Sequence, residues 1–430
     1  MGLFNFGKEN MKSEFLAALT VFMSSAYALV LIPQMMSEVG VDFDAAFFSV
    51  AISAAIGTLI IALISNKPFM AGPGLTLSIF ITYSIVKAHN ISWQIAIAAS
   101  LLVGVVLLAL SISKIRVWFV QAVPHNLRYG ILGGIGLLMV FIGLIQANIV
   151  SASDATMVTL GNILSPGVLL ALFGLLITGI LISRKVKAAF ILGMLLTTIL
   201  SVAVSYNSVS FSDIRFLDFS KNLGSLAFSY DFAGLKNSDA VAIVLALFVV
   251  AFFDTIGAAT ALLIRGRSVD KQGNIKGLDK VMIGDSLSTI FGAVAGAPAS
   301  TVYTESASAY EAGGKTGLTA VFISIFIALS VFMLPLIKMV PIEATAPVLI
   351  IVGLLMFSSI TRIDLKDKAE ALPALFCVAA IPFTLSITYG IGLSVIMYVA
   401  IKVFSSRAKE IHLGMWITAL LFLADFLTLF

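Results

Sequence analysis

The sequence predicts an all-α, polytopic membrane protein, and three observations carry that prediction. Hydrophobic residues make up 60% of the 430 positions and charged residues only 11%. A soluble domain carries about 25% charged residues because its whole surface meets water, so lipid must be the solvent for most of this surface. Apolar stretches recur along nearly the whole chain, many close to the roughly 20 residues that a helix needs to cross about 30 Å of hydrocarbon. The basic residues also sort to one side of those stretches, as a membrane topology requires.

Fourteen candidate crossings follow in order. The first seven are residues 15–32, 45–64, 74–86, 93–111, 127–145, 168–181 and 188–204. The second seven are 240–263, 281–294, 304–312, 318–336, 346–357, 371–387 and 390–404. A last apolar segment, 413–430, contains Asp425 and either lies on the membrane or crosses it. Stretch 15–32 reads as a first span and not a removed signal peptide, because no small-residue cleavage site follows it. Cys377 is the single cysteine, so no intramolecular disulfide forms.

With the N-terminus inside, only Lys87, Arg215, Lys221, Lys236 and Lys338 of the 26 Lys and Arg residues fall outside. One crossing more or fewer would scatter that pattern. Seven is odd, so the second half enters the membrane from the opposite side, as in the inverted repeats of secondary transporters. The halves are 1–204 and 240–404, joined by an extracellular linker at 205–239 and followed by 405–430.

Segments 74–86 and 304–312 are too short to span. Each is the third of its half, and they follow Pro68-Phe-Met-Ala-Gly-Pro-Gly and Gly296-Ala-Pro-Ala-Ser-Thr-Val-Tyr. Irregular backbone at membrane depth survives only where protein or a water-filled cavity covers it. A matched pair of interrupted segments is the best sequence pointer to a midplane site. The rival reading, two ordinary loops, conflicts with the charge pattern.

Two acids fall near this place. Asp254 lies eleven residues before Arg265, about 16 Å at ~1.5 Å per residue, or roughly half the hydrocarbon. An acid there costs about 2.5–3.5 kcal/mol on insertion scales and should face the bundle interior, either in a functional role or bonded to a neighbouring helix. Glu305 follows Thr304 at the start of the second half-helix, where unpaired N–H groups favour a carboxylate. As an acceptor-only group it suits the N–H edge of a nucleobase; its rival role is first-turn helix stabilisation. Asp285, a few residues from Lys280, reads equally well as structural, and Glu311 with Lys315 as an end-of-helix pair. Phe80, Phe252, Phe253 and Tyr303 flank the proposed site and could stack on a flat ring, although in a chain with 32 Phe packing is the commoner role. Gly130 and Gly134 read as helix packing.

No enzyme signal is found. His89, His125 and His412 form no H-E-x-x-H motif. Gly314-Lys-Thr resembles the end of a phosphate loop, but Ala309 stands where its first Gly is required. No basic run is long enough for a nucleic-acid site.

Phe253-Asp-Thr-Ile-Gly, Tyr303-Thr-Glu-Ser-Ala, Gly313-Gly-Lys-Thr-Gly-Leu-Thr-Ala, Pro341-Ile-Glu-Ala-Thr-Ala-Pro-Val-Leu-Ile-Ile-Val-Gly and Gly72-Pro-Gly-Leu carry a resemblance over nearly the whole chain. The sequence resembles the guanine/hypoxanthine/adenine permease (AzgA-like) branch of the nucleobase–cation symporters. The resemblance implies a uracil-permease-like fold of fourteen segments as two inverted sevens, with short strands in segments 3 and 10 that meet at the substrate. It implies a core domain of 15–111 plus 240–336 and a gate domain of 127–204 plus 346–404. In this family the acids matched by Asp254 and Glu305 contact the base or its coupling proton. Two stretches depart from the family wording. Gly74-Leu-Thr-Leu-Ser puts Ser78 where the branch has Asn, and Met23-Ser-Ser-Ala-Tyr-Ala-Leu-Val replaces Thr-Met-Ala-Tyr-Ile.

The expected substrate-binding set is therefore Glu305, Asp254, Ser78, Tyr303, Phe253 and Thr304, with Asp254 and Glu305 coupling the proton. The expected protein is a multi-pass plasma- or inner-membrane symporter with a cytoplasmic N-terminus, which takes up purine bases by alternating access. It needs no cofactor or metal beyond a coupling ion, H⁺ ahead of Na⁺. Its partners are the base, membrane lipid and, as a homodimer, a second copy, with nucleic acid excluded. The rival transporter is an anion carrier of the sulfate-permease architecture, which should avoid a carboxylate where its anion binds, or a related carrier of another small planar solute. A channel and a membrane-embedded enzyme are the readings from other classes.

Overall fold

The computed structural model describes residues 8–88, 90–113, 123–153, 156–204, 206, 225–236, 238–268 and 275–428. Most of the expected linker 205–239 lies outside them, as do His89, Lys114, Arg116, Arg215, Lys221 and Lys271.

Helix dominates. The first half holds α1 (Lys8–Ser25), α2 (Ala28–Ser37), α3 (Phe43–Ser65), β1 (Ala71–Pro73), α4 (Leu75–Ile79), which widens into a π-helix over Phe80–Lys87, and α5 (Trp93–Ile112). Then come α6 (His125–Gln146), an exposed hairpin of β2 (Val150–Ser153) and β3 (Met157–Leu160), α7 (Pro166–Ser183) and α8 (Ala189–Ala203). The second half holds α9 (Ser238–Arg265), α10 (Leu278–Val294), β4 (Ser300–Val302), a 3₁₀ turn at Thr304–Ser306, α11 (Ala307–Glu311), α12 (Gly317–Ser330) and α13 (Leu334–Ile337). It ends with α14 (Ile342–Phe357), α15 (Lys368–Thr384), α16 (Ile387–Phe404) and α17 (Leu413–Thr428).

Helix lies within every predicted segment. Nine helical stretches of the described residues are long and apolar enough to cross a membrane, the first running through Met11–Ser37 across the α1–α2 break. The hairpin was not expected. Large apolar side chains stand exposed on the outside, including Leu176 at 64%, Ile199 at 63% and Phe332 at 61%, as lipid contact requires and water would oppose.

The helices pack in two groups. In one, α3 lies against α10 and α12, α10 against α5, and α1 against α12. In the other, α6 lies against α14 and α15, α7 against α8 and α14, and α15 against α16. Small residues let the second group close. A Cβ on Gly130 would stand 2.4 Å from the Ala374 carbonyl, and one on Gly134 2.9 Å from that of Cys377. The expected packing role of this glycine pair is therefore the seam between α6 and α15.

Glu14 joins α1 to α12. Only 3% exposed, its carboxylate accepts from the N–H groups of Lys315 and Thr316 at 3.2–3.4 Å, from the Thr316 hydroxyl at 3.0 Å and from the Thr319 hydroxyl. The stretch that looks like a phosphate loop thus wraps the protein's own anion, at a helix N-terminus that favours one. Glu311 pairs with Arg265 and not with Lys315, because α11 ends beside the end of α9.

At the far end of the second group, Asp367 caps α15 by accepting from Ala369 N–H at 3.0 Å. It also takes a forked pair from Arg407 at 2.8 and 2.7 Å. The buried Lys402 ammonium meets Glu370 at 3.2 Å and Glu410 at 2.7 Å. Arg407 holds the Asp367 carboxyl down to about 2, and Arg407 followed by Lys402 holds Glu410 down to about 2. Carboxyls depressed in the folded state stabilise it above their unfolded values of about 3.9 and 4.3, and that contribution fades as pH falls toward the folded value. The thermal stability lost in Arg407→Ala should therefore be constant from pH 7 to 5 and shrink between pH 4 and 2, as read by melting of detergent-solubilised protein.

Candidate functional site

The two interrupted segments meet. β1 and β4 pair antiparallel, with Ala71 opposite Val302, Gly72 opposite Thr301 and Pro73 opposite Ser300. Gly74 N–H donates to Ala299 O at 3.0 Å and Tyr303 N–H to Met70 O at 2.9 Å, extending the ladder at both ends. Because the pair is antiparallel, α4 leaves from one end and the Thr304–Glu311 turns from the other, so the two helix N-termini point at each other across it.

A two-stranded pair inside a membrane must have its remaining polar groups covered. Thr58 of α3 does this twice: its hydroxyl donates to Ala71 O at 2.9 Å and accepts from Ala71 N–H at 3.1 Å. The Ser306 hydroxyl accepts from Met70 N–H at 2.9 Å, and the Tyr303 hydroxyl donates to Pro73 O at 2.5 Å. Gly72 is needed because a Cβ there would lie 2.6 Å from that of Ala54. The Pro-Gly wording of segment 3 is thus the chemistry of a strand laid directly on a helix.

Beside the pair opens a cavity of about 930 Å³. Its wall includes five of the six predicted site residues: Asp254 and Phe253 of α9, and Tyr303, Thr304 and Glu305 at the end of β4. Glu305 is partly exposed and Thr304 exposed. The cavity runs toward the basic end of the bundle, where His125, Arg128 and Arg362 join its lining. The Arg128 guanidinium lies over the Phe253 ring, 4.8 Å from its centroid. At the opposite end Glu38, after α2, pairs with Lys87 and accepts from Tyr83 OH at 3.0 Å and Gln146 Nε2 at 2.7 Å. That ties the first helix group to α6 of the second.

Ser78 is the exception. It is fully buried, its hydroxyl donates to Gly74 O at 2.7 Å, and it does not line the cavity. Four residues along a helix bring its hydroxyl back onto the preceding turn. Thr76, two positions earlier, lines the cavity in its place. Of the flanking aromatics, Phe80 is buried away from the cavity, and Phe252 packs on Phe248 with centroids 5.7 Å apart. Only Phe253 and Tyr303 reach the cavity wall.

The sequence pattern and the fold both have counterparts among known proteins. The sequence model described as Permease family matches residues 12–393. The chain is 35% identical to the guanine/hypoxanthine permease PbuO of Bacillus subtilis, over 96% of each chain. It is 32% identical to the adenine permease AdeP of Escherichia coli, over 96% of this chain and 92% of that one. It belongs to the Permease family. Within it, the relatives match the guanine/hypoxanthine/adenine branch of the nucleobase transporters. This permease is an integral membrane transporter and not an enzyme. Its fold is shared with the transmembrane domain of the cyanobacterial bicarbonate transporter BicA, at TM-score 0.65 and 14% identity over 90% of this chain and 98% of that one. Murine Slc26a9 is similar at TM-score 0.65 and 13% identity, over 94% of this chain and 70% of that one.

The site of this permease also holds groups that the sequence did not single out. Tyr27 lies at the α1–α2 break and donates to Glu305 Oε1 at 2.7 Å. Its only sequence signal was its place in the altered Met23-Ser-Ser-Ala-Tyr stretch. Thr301 lines the cavity and lies 3.3 Å from the Thr255 hydroxyl. Behind it Thr255 donates to Asp285 Oδ2 at 2.8 Å, and the other Asp285 oxygen is buried with no partner among the described residues. Asp285 is thus buried beside the site, one layer behind the wall, and not at an interface.

Proposed function

We propose that this permease takes up purine bases with protons, by alternating access across a plasma or inner membrane with the N-terminus in the cytoplasm. One observation carries the reading: a carboxylate at a broken helix, Glu305, stands in a cavity between two helix groups, and Phe253 and Asp254 line the same cavity. A purine is flat, apolar on its faces and rich in N–H donors at its rim. It fits an aromatic wall and an acceptor-only anion together.

In this reading Glu305 anchors the base. Asp254 carries the coupling proton or adds a second contact. The first helix group is the core, the second the gate, and the fourteen segments form two inverted sevens. The cavity's basic mouth is then cytoplasmic by the positive-inside rule, so this is an inward-facing form, and the Glu38 contacts with Tyr83 and Gln146 must break when it opens outward. That the fold is shared with anion transporters does not favour an anion here, because two carboxylates in the wall repel one.

Expression in a permease-deficient strain tests the reading. Radiolabelled hypoxanthine, guanine or adenine should accumulate above the empty-vector level, a protonophore should collapse the accumulation, and removing Na⁺ should not. Accumulation at vector level, or inhibition by sulfate or bicarbonate but not by unlabelled bases, would sink it.

A further inference from the structure

The two oxygens of Glu305 are held differently. Tyr27 stands at the break between α1 and α2, is 4% exposed, and packs its ring against Phe190 of α8 with centroids 5.0 Å apart. Held there, its hydroxyl donates to Glu305 Oε1 at 2.7 Å. Oε2 accepts a longer bond, 3.3 Å, from the hydroxyl of the exposed Thr304, which a ligand can displace. One carboxylate oxygen is therefore held by a short bond from a buried phenol, and the other by a longer bond from an exposed hydroxyl that can give way to a ligand.

That difference has a chemical consequence. A carboxylate with both oxygens free takes two parallel N–H bonds from one planar group, the strongest arrangement available to it. Guanine can supply such a pair from its ring N1–H and its adjacent amino group. Hypoxanthine has the same ring N–H and no amino group. A carboxylate oxygen that already accepts from a buried phenol has one lone pair left and part of its charge satisfied, so a second donor adds less there.

We propose that Tyr27 is a specificity-determining residue, which by holding Glu305 Oε1 makes the site read a purine through a single N–H and so accept hypoxanthine and guanine alike. This rests on the reading of the cavity as a purine site. Tyr27 acts through Glu305 as a positioning residue, and the signature of that role is a change in the ratio of two affinities. A loss of packing would weaken both bases together.

The test is equilibrium binding of radiolabelled hypoxanthine and guanine to purified, monodisperse protein. Wild type should bind the two within about threefold of each other. Tyr27→Phe keeps the ring and its contact with Phe190 and frees Oε1, so guanine should gain on hypoxanthine by about tenfold, the scale of one hydrogen bond to a charged group. Guanine already tenfold tighter in wild type would overturn the proposal without any variant. So would a Tyr27→Phe protein in which both affinities move equally or not at all. Wild type that binds adenine but neither of these bases overturns this inference alone; wild type that binds none of the three removes the purine reading itself.

Discussion

Glu305→Gln should lower base affinity about a hundredfold while leaving the protein folded. The carboxylate contributes a charge-assisted hydrogen bond of about 1.5–3 kcal/mol. An amide keeps one acceptor oxygen, which Tyr27 OH claims, and turns an NH₂ group toward the substrate. Donor then faces donor, and the base N–H goes unpaired at a further cost of about 1–3 kcal/mol. At about 1.4 kcal/mol per factor of ten, even the lower end of that total is close to a hundredfold. The fold should survive, since the Ser306 and Tyr303 bonds that fix the strand pair do not involve the Glu305 carboxyl. Binding of labelled hypoxanthine to the purified variant, beside its melting temperature, reads both halves. Wild-type affinity in a normally folded variant would remove Glu305 from the site.

The largest effect on folding is expected at Gly136. It lies on the face of α6 that meets α14, and a Cβ there would stand 2.5 Å from Phe357 N and 2.6 Å from Gly353 O. Seen from α14, a Cβ on Gly353 would stand 2.7 Å from Gly136 O and 2.8 Å from Val140 N. The nearest atoms are backbone on both sides, so no side chain can swing away. Lipid supplies no hydrophobic drive to hold two membrane helices together, and close packing of small residues takes its place. Overpacking commonly costs about 1–3 kcal/mol, occasionally more, where side chains can adjust. Here the helices themselves must part, and Gly136→Leu should exceed that range. Its fluorescence-detected gel-filtration profile should lose the monodisperse peak. A Cβ added at Gly179 of α7 would meet nothing within 4 Å, so Gly179→Ala should give a normal profile and, in a helix, a gain of up to about 1 kcal/mol. A monodisperse Gly136→Leu protein would refute the seam as described.

Much of this was legible in one dimension because membranes impose one-dimensional rules. The scarcity of charge named lipid as the solvent. Pro and Gly at the heads of 74–86 and 304–312 marked where helix had to stop. Each is a statement about a residue and its immediate stretch of chain. That Asp254 belongs with the cavity, and not at a helix end, needed only its distance along the chain from Arg265. Glu305, Thr304 and Tyr303 were found together because they are consecutive.

The three-dimensional packing decided the rest. Whether a side chain at a half-helix start faces a cavity or its own backbone depends on rotation about the helix axis, and two positions separate the buried Ser78 from Thr76 in the cavity wall. Tyr27 is 278 residues from Glu305, and Glu14 is about as far from the helix end that it caps. Hydrogen bonds reach only about 3 Å, so such partners are set by how α1 lies against the second half of the chain, which no local pattern encodes. The sequence by itself determined that polar groups had to gather at mid-membrane, because hydrocarbon tolerates them nowhere else. Only the tertiary structure decided which oxygen of Glu305 is held by a buried phenol and which by an exposed hydroxyl.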